Sequence, residues 1–190
     1  MPTPPRCAIR FASHSKGTTA TILAALLLGL LPASSLSSQN VPQRASFSNR
    51  TGPFELQMWE LINRDRADQS YFSETRGHAP ALQWDDRLAE VARMHSDEMA
   101  RNGYFSHEGA DGSSPARRVS MAGIKWHSTG ENIAICGSVS EAESLFMNEP
   151  KFQQNHRWNI LNVNYTHVGV GVARARDGSL YVTQEFAQLR

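Results

Sequence analysis

The alternation of valine and glycine near the C-terminus restricts the fold of this chain more than any other sequence feature. From Tyr165 the chain reads Tyr-Thr-His-Val-Gly-Val-Gly-Val-Ala-Arg-Ala, and a second β-rich run follows Asp177-Gly178. An Asp-Gly pair between two such runs predicts an antiparallel hairpin. The valines share one face of the first strand, whereas Gly169 and Gly171 leave its other face bare, so that another backbone or a ligand can approach closely.

Helical periodicity precedes the hairpin. Residues from Pro53 to about Ala67 carry apolar side chains at spacings of three and four, with proline in the first turn. A stronger helix is predicted from about Asp85 to Asn102, because an aspartate can cap its start and Gly103 ends it. Both helices have one apolar face and are expected to pack on a sheet.

Two shorter helices and a third strand are also expected. Ser114, followed by proline, can cap one helix, and Ser140 with Glu143 has the capping-box spacing that opens another, ending near Asn148. The apolar run at 130–135 is a candidate strand. Helices before and between strands, with a hairpin last, indicate an α+β fold whose helices pack on an antiparallel sheet.

One histidine lies on the apolar face of the long helix. His95 is in line with Leu88, Val91 and Met99, so its side chain is expected to point inward. A histidine in that position is more often a hydrogen-bonded core residue than a ligand, and we interpret it so.

The N-terminal region has the layout of an export signal. Basic residues precede an apolar run from Ala20 to Leu31, small residues follow, and no acidic residue occurs before Glu55. A retained membrane anchor is the alternative, but this run is shorter than the ~20 residues that span a bilayer. We predict a signal peptide over residues 1–35, a disordered linker over 36–52 and one folded domain over 53–190, in a secreted or periplasmic protein.

Removal of residues 1–35 changes the charge and the cysteine content. It leaves 16 basic and 18 acidic residues, a net charge of −2, and therefore no basic surface for nucleic acid. Cys7 lies in the removed segment, so that Cys136 is alone and no internal disulfide is expected. We expect a monomer, held by its core, with no transmembrane segment after signal removal.

Six short motifs occur in an order that resembles a known family. They lie at residues 82–92, 95–96, 104–107, 130–134, 156–161 and 165–171. Together they resemble bacterial SCP-like domains of the CAP superfamily, which comprises cysteine-rich secretory proteins, antigen 5 and pathogenesis-related proteins. The resemblance covers about residues 54–186 and implies a three-layer α-β-α sandwich with a small antiparallel sheet.

The resemblance also implies a binding cavity. Eukaryotic members line a central cavity with two histidines and two glutamates that can hold a divalent metal such as zinc. His107, at the end of an aromatic-x-His motif, matches the first histidine, Glu131 of Gly-Glu-Asn matches the first glutamate, and Glu149 matches the second.

The fourth cavity position departs from the family pattern. Asn164 aligns with the second histidine, and His167 aligns with a glutamine. Either His156 or His167 can supply the missing imidazole from elsewhere. The candidate cavity residues are therefore His107, Glu131, Glu149, His156 and His167, with His107 and His167 as candidate metal ligands.

Three functions from different classes follow. The first is an extracytoplasmic binding module for a peptide, glycan or lipid, and we favour it over catalysis. The second is a metal-dependent hydrolase or protease, in which Glu131 or Glu149 acts as general base. The third is an envelope-associated structural domain with a vestigial cavity. The sequence contains no paired histidines at metalloprotease spacing, no serine-hydrolase motif and no glycine-rich phosphate loop.

Overall fold

The structure is a computed structural model that describes residues 7–11, 15–16, 51–77 and 79–190. Most of the predicted signal peptide and nearly all of the predicted linker lie outside the described residues. The predicted domain lies almost wholly within them.

A mixed six-stranded sheet forms the middle layer. Its strands follow the order β1-β4-β6-β5-β3, with β2 also paired to β4. All pairings are antiparallel except that of β3 with β5. The strands are β1 (Ala8–Phe11), β2 (Ser15–Lys16), β3 (Gln83–Trp84), β4 (Trp126–Cys136), β5 (His167–Arg174) and β6 (Leu180–Leu189).

Helices cover both faces of this sheet. One face carries α3 (Asp86–Asn102) and α4 (Pro115–Met121), and the other carries α1 (Pro53–Ala67), α5 (Val139–Met147) and α6 (His156–Leu161). A short α2 (Phe72–Thr75) follows α1. The predicted α+β class and three-layer sandwich are confirmed. Among the described residues, none of the helices has both the length and the apolarity that crossing a bilayer requires.

Local capping explains most of the helix boundaries. The side chain of Asp85 accepts hydrogen bonds from the first turn of α3, and Gly103 ends that helix in the left-handed region at φ 67°. Ser114 caps α4 as predicted. The predicted cap of α5 is wrong: Ser138, rather than Ser140, accepts from the amide of Glu141, so the helix begins earlier.

The bare face of β5 brings α3 against the sheet. A Cβ atom on Gly169 would overlap the backbone at Leu88 and Ala89, and one on Gly171 would overlap the backbone of Ala92. The predicted close approach of another backbone is therefore confirmed, and the backbone is that of α3. The hydroxyl of Ser96 then donates to the carbonyl oxygen of Gly171 at 3.0 Å.

The N-terminal segment of the full chain lies on the edge of the sheet. In the full chain, β1 pairs with β4, and Cys7 forms a disulfide with the buried Cys136, their Cα atoms 4.3 Å apart. The expectation of no internal disulfide concerns the chain without residues 1–35 and stays a prediction, whereas in the full chain residues 7–11 bring Cys7 to the edge of β4. Removal of residues 1–35 remains a prediction.

We expect Gly171→Ala to destabilise the domain by about 3 kcal/mol or more, because neither α3 nor β5 can move without losing its packing. Chemical denaturation measures the change. Gly137→Ala is the matched control, since its Cβ would meet only the flexible carboxylate of Glu141 at 3.4 Å, and it should change stability by less than about 0.5 kcal/mol. Equal losses in both variants would contradict the close-packing argument.

Candidate functional site

Two glutamates face each other beneath α3 and α4. Glu131 of β4 pairs with Glu185 of β6, and Glu185 pairs in turn with Gly169 of β5. Paired residues share a face, so both carboxyl groups lie on the side where α3 covers Gly169. Both side chains are fully buried, and a buried carboxylate requires partners.

Glu131 has two strong partners. Its Oε1 lies 2.6 Å from Nδ1 of His107, and its Oε2 accepts from Nη2 of Arg118 at 2.5 Å. Burial acts to raise the pKa of Glu131, but the hydrogen bond of His107 and the charge of Arg118 outweigh it and hold the pKa below its usual range. Glu131 is therefore a carboxylate.

The pKa of Glu185 is shifted in the opposite direction from that of Glu131. Burial, and then the negative charge of Glu131, raise the pKa of Glu185 well above its usual value. Arg118 offsets this only weakly, since its Nη2 lies 3.9 Å from Oε1 of Glu185. The pair consists of one carboxylate and one neutral acid, as expected when two buried carboxyls share a site.

His107 connects this pair to the edge of the sheet. Its Nδ1 contacts Glu131, and its Nε2 lies 2.6 Å from the carbonyl oxygen of Arg10 on β1. Both ring nitrogens therefore lie within hydrogen-bonding distance of an oxygen atom. Arg118 holds the same loop, because its Nη1 donates to the carbonyl oxygens of His107 and Ser113 at 2.9 and 2.8 Å.

His95 lies beside this network on α3. It is 1% exposed, and its Nε2 lies 2.9 Å from the carbonyl oxygen of Ser106, which steadies the loop that carries His107. Burial lowers the pKa of His95, so the ring is neutral and its Nε2 is the donor. The predicted inward position is confirmed. Its Nδ1 has no hydrogen-bond partner among the described residues, and Oε2 of Glu98 is 3.8 Å away.

A cleft of about 440 Å³ lies between α3 and α4 beside these residues. Met94 and Met121, at its rim, are 66% and 69% exposed. The Nε of Arg118 is buried without a hydrogen-bond partner among the described residues. The lining residues are Val91, Met94, His95, Glu98, Asp111, Ser113, Arg118, Met121 and Ala122.

The second His–Glu pair belongs to the other layer. Nδ1 of His156 lies 2.8 Å from Oε1 of Glu149, and the amide of His156 donates to Oε2 at 2.8 Å. The His156 ring stacks on Phe146 at 4.8 Å, and its carbonyl accepts from Asn132. The pair therefore fixes the start of α6 on the face opposite the Glu131 side chain.

His167 lies apart from both pairs. Its Nδ1 is 2.8 Å from the hydroxyl of Thr166, at the start of β5. Burial lowers the pKa of His167, and the charges that act on it are those of Asp85 and Arg87 at the start of α3. The five candidate residues thus occupy three places rather than one.

This arrangement does not fit a shared metal centre. The sheet lies between Glu131 and the layer that holds His156, so the two His–Glu pairs cannot share an ion. In the full chain, Nε2 of His107 is also engaged by the carbonyl oxygen of Arg10, which belongs to the segment predicted to be removed. Within the described part of the chain, one set of three donors comes within ligand range: Cys7, Cys136 and Glu141. The two sulfurs of that set are joined in the disulfide, so they are not thiolate ligands.

Solved structures of other proteins share this three-layer fold. An extracellular protein containing an SCP domain from Bacillus anthracis matches 70% of this chain over 40% of its own, with 30% identity and a TM-score of 0.56. An outer surface protein from Borrelia burgdorferi matches with 17% identity and a TM-score of 0.60, over 71% of this chain and 92% of its own, which supports the fold alone.

The sequence model of the CAP, or cysteine-rich secretory protein, family matches residues 59–186, and the chain belongs to this family. The Bacillus subtilis protein YkwD, described as uncharacterized, is 36% identical over 134 residues, which are 70% of this chain and 46% of YkwD. YlbC, an uncharacterized membrane protein of the same organism, is 37% identical over 107 residues, 55% of this chain and 28% of its own. The chain therefore spans less than half the length of these relatives.

Four residues of the site were missed by sequence reasoning. Arg118 was not singled out, because it is one of several arginines in the chain. The sequence pattern of β6 does indicate that Glu185 is buried. The two-residue period of the strand places Glu185 on the same face as Thr183, and most of the strand is buried. No sequence pattern indicated an exposed apolar helix surface, yet Met94 and Met121 provide one at the cleft.

We expect opposite outcomes for the two facing glutamates. Glu131→Gln leaves Arg118 buried without a counter-charge and should cost about 3 kcal/mol at neutral pH. Glu185→Gln replaces a neutral acid by a neutral amide of the same shape and should not destabilise the domain. Denaturant unfolding of both variants at neutral pH measures the difference, and equal losses would contradict the assigned charge states.

The pH dependence has a definite sign. In the unfolded chain Glu185 loses its proton near pH ~4.3, whereas the folded chain keeps it to higher pH. The stability contributed by this group is complete below the unfolded pKa and declines as the pH rises toward the folded pKa. Glu185→Gln should therefore gain stability relative to the parent between about pH 4 and 7.

Proposed function

We propose that this protein is an exported binding module whose ligand enters the cleft between α3 and α4. The observation that carries the proposal is an exposed apolar rim beside two buried polar atoms that have no hydrogen-bond partner among the described residues. Met94 and Met121 supply the rim, and Nδ1 of His95 and Nε of Arg118 supply the polar atoms. A pocket with apolar walls and a few fixed polar groups is the usual form of a small-ligand site.

The two polar atoms define the chemistry of the ligand. Nε of Arg118 is a donor, and Nδ1 of the neutral His95 is an acceptor. A hydroxyl or an amide group can accept from the first and donate to the second. Of the peptide, glycan and lipid ligands expected for a module of this kind, a short peptide or a glycan therefore fits better than a lipid.

Export rests on the predicted signal peptide over residues 1–35. The Bacillus anthracis relative, 30% identical, is described as extracellular. These observations favour a secreted or periplasmic protein.

The hydrolase alternative has less support. Metal-assisted hydrolysis needs several donors around one ion with an open position, whereas His107 and Glu131 are joined to each other and to Arg118. The Glu149–His156 pair holds α6 in the same manner. We therefore favour binding over catalysis, and assign both His–Glu pairs to positioning.

Replacing the apolar rim residues of the cleft by charged residues tests whether the cleft binds the ligand. Short peptides and oligosaccharides are screened against the full chain by thermal shift, and the hits are measured by calorimetry. We expect Met94→Glu combined with Met121→Glu to weaken binding by about tenfold or more, because both side chains lose apolar contact with the ligand. Both are exposed, so the fold should be unaffected.

Phe152→Glu is the matched control, since Phe152 is 73% exposed and lies outside the cleft. It should leave the affinity unchanged. If the ligands bind the rim variant as tightly as the parent, the binding site lies elsewhere and the proposal is wrong.

To test export, the N-terminal residue is determined for protein that is recovered from outside the cytoplasm. We expect it to begin near Leu36, after cleavage at Ser35, as Edman degradation or intact mass would show. Ala33→Leu and Ser35→Leu alter the small residues required for cleavage and should retain the segment. A native protein that starts before Cys7 would disprove the processing step.

A further inference from the structure

We propose that the outer edge of β4 binds an extended peptide from another polypeptide as an added strand. The inference rests on the export proposed above, because removal of residues 1–35 takes β1 and β2 with it. The full chain shows how such a peptide is received, since its own N-terminal segment lies on that edge.

The main chain of β4 provides the first element of recognition. One edge of β4 pairs with β6 along nearly its whole length. The other edge pairs antiparallel with Ala8–Phe11 and again with Ser15–Lys16, which lie opposite Asn132–Ile135 and Ser128–Thr129. Among the described residues no other segment pairs with this edge, so that loss of these two segments leaves a long row of its amides and carbonyls unpaired. Such an edge accepts another strand.

Side chains on the two faces of the added strand provide selectivity. Ile9 lies opposite Ala134 and packs on the core beneath α1 and α5. Arg10, opposite Ile133, points to the other face, where its guanidinium lies 5.7 Å from the centre of the Phe105 ring. An apolar residue followed by a basic residue therefore satisfies both faces.

His107 provides the third element. Its Nε2 lies 2.6 Å from the carbonyl oxygen of Arg10, and Glu131 fixes the ring through Nδ1. This contact is with the main chain, so it is available to a peptide of any sequence. The cluster beneath α3 thereby acts as a clamp for an extended backbone, which explains why a His–Glu pair is held at the edge of the sheet.

The charge of the processed chain agrees with such a ligand. Residues 36–190 carry 16 basic and 18 acidic residues, and the removed segment carries three basic residues and no acidic ones. A basic peptide is therefore favoured over an acidic one, most of all at low ionic strength.

In the experiment, two substitutions detach the native N-terminal segment of the full chain from the edge of β4. The same strand is then supplied as a separate peptide. Cys7→Ser with Ile9→Asp removes the disulfide and the apolar anchor of β1. A fluorescent peptide with the sequence of residues 4–16, with serine in place of cysteine, is titrated by anisotropy. We expect saturable binding to this variant and at least tenfold weaker binding to the parent, whose edge is occupied.

Matched peptides test the selectivity without changing the protein. Exchange of the peptide's arginine for glutamate, or of its isoleucine for aspartate, should each weaken binding by about tenfold. Adding His107→Gln to the variant should weaken all peptides by a similar factor, provided that far-ultraviolet circular dichroism shows the fold intact. Equal binding of the three peptides would overturn the proposed recognition.

Two other results would overturn the inference. A folded variant that binds no peptide would show that β4 takes its strand only from its own chain. A variant that dimerises in sedimentation experiments instead of binding peptide would assign the edge to a second copy. Cleft ligands measured on the same variant separate this failure from failure of the proposed function, because Met94 and Met121 are unchanged.

Discussion

The contact between α3 and β5 determines the geometry of the rest of the molecule. Gly169 and Gly171 remove the side chains that would otherwise separate helix and strand, so the helix backbone lies directly on the sheet. Because α3 lies so close to the sheet, His95 and the loop after the helix lie directly over β4 and β6. The position of the ionised cluster is thus a consequence of two missing Cβ atoms.

Glu131 connects two surfaces that are otherwise separate. One oxygen holds His107, which contacts the strand on the edge of β4, and the other holds Arg118, which lines the cleft. Buried carboxylates of this kind are costly unless every partner is in place, so the network is rigid when complete. A change on either surface therefore acts on the other through a single side chain.

Much of the fold could be predicted from the sequence, because it depends on local rules. The caps at Asp85 and Ser114 and the turn at Asp177-Gly178 are each set by neighbouring residues. The predicted start of α5 at Ser140 was wrong because two serines can cap this helix, and the side chain of Ser138 accepts from the amide of Glu141.

The site was less predictable, because it depends on which face a residue occupies. A family resemblance supplied His107 and Glu131, and the structure joins them. The same resemblance grouped them with Glu149 and His156, although those residues hold a helix on the opposite face. Arg118 completes the site from a helix whose packing no local pattern fixes, and the pairing of Cys7 depends on a segment that sequence reasoning had set aside.

The facing carboxyls have a consequence for calorimetry. Glu185 keeps its proton largely because the site is dry and Glu131 is charged. A ligand that draws Arg118 toward the cleft, or that admits water, changes the balance between the two acids and so the number of bound protons. Binding heats measured in buffers of different ionisation enthalpy would then differ, and the size of the difference counts the protons exchanged with solvent.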